Sequence, residues 1–229
     1  MKGSYARIVI SVVVTGLLPV AGGLICYWSM PELHAEWSWH SESLHSMVES
    51  VGAFSALTLG ILMVLWAQQR KTFYPYLWIA GALVAKGTLD LFHAGLGATL
   101  PFTWLRSIST LIGGALFSAV WLPDRLVRPR QLVFLPVIAA GGAGALALIA
   151  IAFPHFPHDT LSPEAFDTIF GASNKIGGLL YVSAAVFFLA RYRNSGQMDD
   201  LLWLNVSLLL GACGLMFSPS LYWNYAWWF

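Results

Sequence analysis

Charge is what this sequence has least of. Asp, Glu, Lys and Arg together account for 10% of 229 residues, against about a quarter in an ordinary soluble domain. A water-soluble domain of this size needs polar faces at helical or strand period on most segments, and Leu132 to Phe153 has none. Cysteine is nearly absent: Cys26 and Cys213 are the only two and sit far apart inside apolar runs. That excludes a disulfide framework and a thiolate-rich metal site, and leaves both as small apolar packing residues. The phosphate-cradling pattern G-x-x-x-x-G-K-[ST] does not occur, and no basic patch stands apart from what membrane topology requires, so nucleotide and nucleic-acid partners are excluded. No linker or low-complexity tract divides residues 1–229, which form a single membrane-embedded domain.

What is present is apolar length. Seven segments, at about 8–29, 44–67, 75–97, 103–122, 131–153, 167–190 and 200–217, are each long enough to cross a hydrocarbon core of about 30 Å as a helix. The fold class expected is all-α, a polytopic bundle of seven transmembrane helices. The first segment follows Lys2 and Arg7 as a signal peptide would, but it is too long and lacks a small-x-small cleavage site, so it reads as a first helix. The N-terminus (Lys2, Arg7) and the second (Arg70, Lys71), fourth (Arg125, Arg128, Arg130) and sixth (Arg191, Arg193) loops hold nine of the twelve basic residues, and the odd-numbered loops hold none. By the positive-inside rule the N-terminus is cytoplasmic and the odd loops face outward. Localisation in a bacterial inner membrane follows, with the lipid bilayer as first partner. The tail, with Tyr222, Trp223, Tyr225, Trp227, Trp228 and Phe229, reads as an interfacial segment or the opening of an eighth helix, and the chain as a piece of a longer protein.

Against this apolar background the intramembrane polar residues stand out. His45 and Glu49 are four apart on the second segment; Lys86, Asp90 and His93 follow at four and three on the third. Each set shares a helical face. The predicted topology puts them, with Arg106 and Lys175, in the outer halves of their helices. Charges at such depth cost several kcal/mol each when they face lipid, so they are expected to turn inward around one outward-opening pocket. Asn174, Thr88 and Ser46 are placed to complete its hydrogen bonding. Two imidazoles and two carboxylates suit a divalent transition metal (Zn, Cu, Ni or Fe), making His45, Glu49, Asp90 and His93 the candidate metal ligands, the histidines first and Asp90 last. Lys86, Arg106, Asn174 and Lys175 are the candidate ligand-binding residues. A purely structural ion-pair network, with Lys86 neutralising Asp90 and Arg106 or Lys175 neutralising Glu49, explains the same residues. His34, His40, His155 and His158 in the loops carry a weaker signal, because Pro157 forbids a helical His155–His158 pair.

The runs HSMVESVGAFSALTLGILM, GTLDLFHAGLG and FTWLRSISTLIGGALFSAVWLP, with the later NKIGGLLYVSAAVFFLARYR and the aromatic YWNYAWWF, resemble the membrane-associated sensor (MASE-type) input domains of bacterial histidine kinases and diguanylate cyclases. The resemblance implies ligand detection at the outer side, a cytoplasmic output domain in cis and a homodimer. It implies no catalytic residue in this chain. A second resemblance, to seven-helix intramembrane zinc hydrolases, rests on Ser41-x-x-x-His45 and Asp90 but lacks the late histidine pair, since no histidine follows His158. A small ion or proton-coupled transporter would need polar residues through the full thickness, whereas Leu57 to Trp66 and Leu179 to Leu189 are almost wholly apolar. One internal similarity, Ser109 to Phe117 against Ser173 to Tyr181, centres on a Gly-Gly pair in each, a duplication or a device for close helix approach.

Overall fold

The structure, a computed structural model, describes residues 2–22, 24–25, 41–69, 74–96, 100–123, 132–156 and 161–217. These residues form helices and turns, with no strand among them. In chain order the helices are α1 (Lys2–Val12, continued by a π-helical turn Val13–Leu17), α2 (Glu42–Gln69), α3 (Tyr74–Gly95), α4 (Leu100–Ser118, ending in a 3-10 turn Ala119–Trp121), α5 (Leu135–Ala152), α6 (Pro163–Ser195) and α7 (Met198–Met216). Cys26, His34, His40, Arg125, Arg128, His158 and the aromatic tail 218–229 lie outside the described residues.

Five of the helices are long and apolar enough to cross a membrane, the windows being Tyr5–Gly22, Glu42–Gln68, Leu135–Ala152, Glu164–Ser195 and Met198–Met216. The two that fall short are α3 and α4, and the reason is visible in their sequences: α3 carries Lys86, Asp90 and His93, and α4 carries Arg106. Their position makes up for it. α3 packs against α2, α4 and α5, and every residue from Ile79 to Gly87 is buried. A helix enclosed by protein need not be apolar on every face, whereas α2, with 17% of its span buried, must be.

α6 lies between α4 and α7, and α1 leans on α7, where Thr15 Oγ1 donates to Asn205 Oδ1 at 3.0 Å. α2 and α7 are not packed on one another. Two apolar clusters fill the bundle. One surrounds Phe117, Tyr181, Phe188, Tyr192 and Trp203, the other Leu89, Trp104, Leu105, Phe166 and Phe170.

The two similar Gly-Gly stretches meet each other in space. A Cβ on Gly114 would overlap the Gly177 backbone, one on Gly177 would overlap the Thr110 carbonyl, and Gly178 lies against Gly211 and Leu215 of α7. Close approach of α4, α6 and α7 is therefore the function of these glycines, as small residues permit between helices that have no hydrophobic drive to associate in lipid.

The expected sixth loop is shorter than its basic residues suggested. α6 begins under a Ser162 cap, whose Oγ accepts from the Ala165 amide at 3.2 Å, and continues through Arg191 and Arg193 to Ser195. Gly196, at φ 68°, supplies the left-handed residue that ends it. The hairpin into α7 is closed by Asp200, which is fully buried. It receives Arg191 Nε at 3.2 Å, the Tyr76 hydroxyl at 3.3 Å and the Ser195 hydroxyl at 2.8 Å, so this carboxylate ties α3, α6 and α7 together at the end predicted to be cytoplasmic.

Gly177→Ala and Gly114→Ala are expected to destabilise the bundle by about 1–3 kcal/mol, as overpacking does. Gly141→Ala, where a Cβ would meet nothing within 4 Å, is expected to be neutral or to stabilise by up to about 1 kcal/mol through helix propensity. Thermal unfolding of the purified variants in detergent distinguishes the two classes; equal effects would contradict the close-approach role.

Candidate functional site

The site begins with how His93 is held. Near the end of α3, its Nδ1 lies 2.6 Å from the Phe102 carbonyl oxygen, and its ring stacks on the Phe102 ring with centroids 3.9 Å apart and planes 29° from parallel. A carbonyl only accepts, so Nδ1 is the nitrogen that carries hydrogen. In the neutral imidazole Nε2 then presents a lone pair. That lone pair faces Glu49 Oε2 at 2.7 Å. Two acceptors do not rest at that distance on their own: 2.7 Å is the span of a hydrogen bond with a proton between them, and a metal ion in the proton's place requires the two donors to move apart. Fixing a ring through its far nitrogen on a backbone carbonyl is also how metal-ligating histidines are oriented.

His45 completes the group. One helical turn from Glu49 on α2, its Nε2 lies 3.5 Å from the same Oε2, and its ring meets those of His93 edge-on at 5.9 Å and Phe102 at 5.2 Å. His45 is 8% and His93 1% exposed. One donor atom from each of His45, Glu49 and His93 lies within 4.8 Å of the others. A tetrahedral ion with ligands at about 2.0–2.2 Å holds its donors about 3.3–3.6 Å apart; the His45–Glu49 distance of 3.5 Å already matches, and the 2.7 Å His93–Glu49 contact has to open for the three to share one ion. Two imidazoles and a carboxylate, with an open position, form a donor set suited to Zn, Ni, Fe or Cu in the divalent state.

Asp90, expected as a fourth metal ligand, is committed elsewhere. Lys86 Nζ donates to its Oδ2 at 2.6 Å, Ser109 donates to Oδ1 at 2.5 Å, and Arg106 lies 3.6 Å from Oδ1. Both of its oxygens are engaged by donors, and Asp90 is not among the donors that converge with the histidines. Lys86 and Arg106 do join the cluster as expected. Asn174 does not: fully buried, it donates to Ser107 Oγ at 2.7 Å and to the Phe170 carbonyl at 3.0 Å, joining α6 to α4. Lys175 is exposed on the bundle surface, because adjacent helical residues point about 100° apart and Asn174 takes the inward direction. Thr88 bonds the Val84 carbonyl of its own helix at 2.8 Å, and His155 is exposed.

Beside the ionic cluster lies a cavity of about 310 Å³, lined by Glu49, Gly52, Ala53 and Ala56 of α2, by Leu83, Lys86 and Asp90 of α3, by Arg106 and Thr110 of α4, by Tyr181 of α6 and by Val206, Leu210, Cys213 and Gly214 of α7. Phe102, Ser109 and Tyr181 were not anticipated. Phe102 acts through its carbonyl, which no side-chain pattern reveals, while Ser109 and Tyr181 belong to the Gly-Gly stretches already singled out for packing.

No protein-family model, curated protein or solved structure matches this chain. Fold and site together define an all-helical protein, with helices suited to a membrane, that encloses a buried ionic cluster and three convergent metal-capable donors.

Removing one partner of a buried ion pair leaves an uncompensated charge, so Asp90→Ala is expected to destabilise the protein by about 3–5 kcal/mol. The double change Lys86→Met with Asp90→Leu should recover most of that loss. Unfolding temperatures in detergent test this; a single Asp90→Ala as stable as the parent would show that the pair does not hold the cluster.

Proposed function

We propose that this chain is a membrane-embedded signal-input domain that binds one divalent transition-metal ion through His45, Glu49 and His93. All seven helices span the bilayer, with the N-terminus cytoplasmic and the metal site near the outer surface of a bacterial inner membrane. The observation that carries the reading is the His93 contact: an imidazole fixed through Nδ1 on the Phe102 carbonyl presents its Nε2 lone pair to Glu49 at 2.7 Å, with His45 beside them. Topology supports the outward placement, since basic residues mark the opposite ends of the helices.

The sensing role rests on the resemblance of α2, α3 and α4 to MASE-type input domains. An ion held by α2 and α3 links the outer end of a largely exposed helix to that of an enclosed one. The change is passed to a cytoplasmic output domain in cis within a homodimer. A hydrolytic reading is less well supported, because Lys86, Ser109 and Arg106 occupy the aspartate such an enzyme would place on its metal. A transport reading lacks a continuous polar path, since Leu57 to Trp66 and Leu179 to Leu189 are almost wholly apolar.

Protein purified without chelator is expected to contain about one zinc, nickel, iron or copper per chain by elemental analysis, and His93→Ala is expected to lower metal affinity by at least about tenfold to a hundredfold. Wild-type protein that holds no metal and takes none up from solution would contradict the proposal.

A further inference from the structure

The cluster leaves one cation and one hydroxyl without a hydrogen-bond acceptor among the described residues, and both residues line the same cavity. Asp90 is engaged by Lys86 at 2.6 Å and Ser109 at 2.5 Å, and Glu49 by His93 at 2.7 Å. The carboxylate oxygen nearest Arg106 is 3.6 Å away, an ion-pair contact beyond hydrogen-bonding reach, and the guanidinium lies 5.9 Å from the centre of the Phe217 ring. The Arg106 guanidinium thus makes no hydrogen bond among the described residues. The Tyr181 side chain is 99% buried, being 1% exposed, yet its hydroxyl has no hydrogen-bond partner among the described residues. A Cβ on Gly113 would overlap that hydroxyl and touch the Lys86 stem, which places the hydroxyl beside the cluster. A buried donor left unpaired costs about 1–3 kcal/mol, so such a donor on a residue lining a cavity is one that an acceptor bound there would relieve.

The rest of the cavity says what kind of molecule carries that acceptor. Its walls away from the charges are apolar or small, including Gly52, Ala56, Val206 and Leu210. Among the described residues it lies between α2 and α7, which are not closely packed on one another, so they leave it open toward the side of the bundle, where a membrane protein meets lipid chains. A planar guanidinium with a nearby hydroxyl donor matches the two oxygens of a carboxylate. We infer that the cavity binds a carboxylate-headed amphiphile of the fatty-acid class, its head on Arg106 and Tyr181 and its chain leaving between α2 and α7. The inference shares with the proposed function only the membrane placement and needs no metal.

Cys213 lines the same cavity and is accessible, so its thiol reports occupancy. The full chain with Cys26→Ser is placed in phosphatidylcholine nanodiscs with chelator present, and the rate of Cys213 alkylation by a small maleimide is followed as laurate is added. Laurate is expected to slow labelling at least about tenfold, with acetate and methyl laurate inactive at the same concentration. Tyr181→Phe, which removes only the unpaired hydroxyl, and Arg106→Lys, which keeps the charge but loses the planar fork, should each weaken protection about tenfold. Protection by methyl laurate equal to that by laurate would reduce the cavity to an apolar crevice and overturn the inference. So would protection by acetate alone, which would make the ligand a soluble anion, or protection unchanged in both variants. Absence of any protection in a protein that still binds metal would overturn this inference while leaving the metal reading intact.

Discussion

A charged pair in the middle of an apolar bundle governs this structure. Lys86 and Asp90, one turn apart on α3 and 2.6 Å from each other, cannot be presented to hydrocarbon without a cost of several kcal/mol per charge. α3 is therefore enclosed by α2, α4 and α5, and α4 brings Ser109 and Arg106 to satisfy the carboxylate. Enclosure needs close helix approach, and glycines at 114, 177 and 178 let α4, α6 and α7 come within backbone contact, while Gly113 leaves room for the Tyr181 side chain.

The same enclosure explains why two kinds of site sit side by side. Once Asp90 is taken by Lys86 and Ser109, it is withdrawn from the histidines. Glu49 alone is left to meet His93 and His45, which gives a three-donor group with an open position. It also leaves Arg106 with only a long contact to its nearest carboxylate, facing a cavity whose remaining walls are mostly apolar. At the opposite end of the bundle Asp200 makes a separate closed arrangement with Arg191, Tyr76 and Ser195. In it each carboxylate oxygen has donors, as a tether between helices requires.

Much of this was legible in the residues. Apolar length gives the helices, and the i,i+4 spacings of His45 with Glu49 and Lys86 with Asp90 give two pairs that the structure retains. What spacing cannot supply is azimuth and register between helices. Lys175 was grouped with the site by depth, but its neighbour Asn174 occupies the inward direction, and one residue along a helix is about 100° around it. Asp90 was offered to the metal because its three donors come from its own helix and a neighbour whose register the sequence does not state. The role of Asp200 leaves no mark in the sequence, because Arg191 and Arg193 read as loop residues while the helix continues through them to Ser195. The Phe102 carbonyl, which sets the tautomer of His93, is a backbone atom and leaves no mark in composition or period.

The central claim is that the cation demanded by the His93–Glu49 contact is exchangeable for a metal ion held also by His45. X-ray absorption at the zinc edge, on protein loaded with one equivalent of zinc, tests it most directly. Predicted is a first shell of nitrogen and oxygen at about 2.0–2.1 Å with the outer-shell scattering of two imidazoles, reduced to one in His45→Ala. A spectrum without imidazole scattering, or one unchanged in that variant, would contradict it and leave the contact as a proton shared between a histidine and a glutamate.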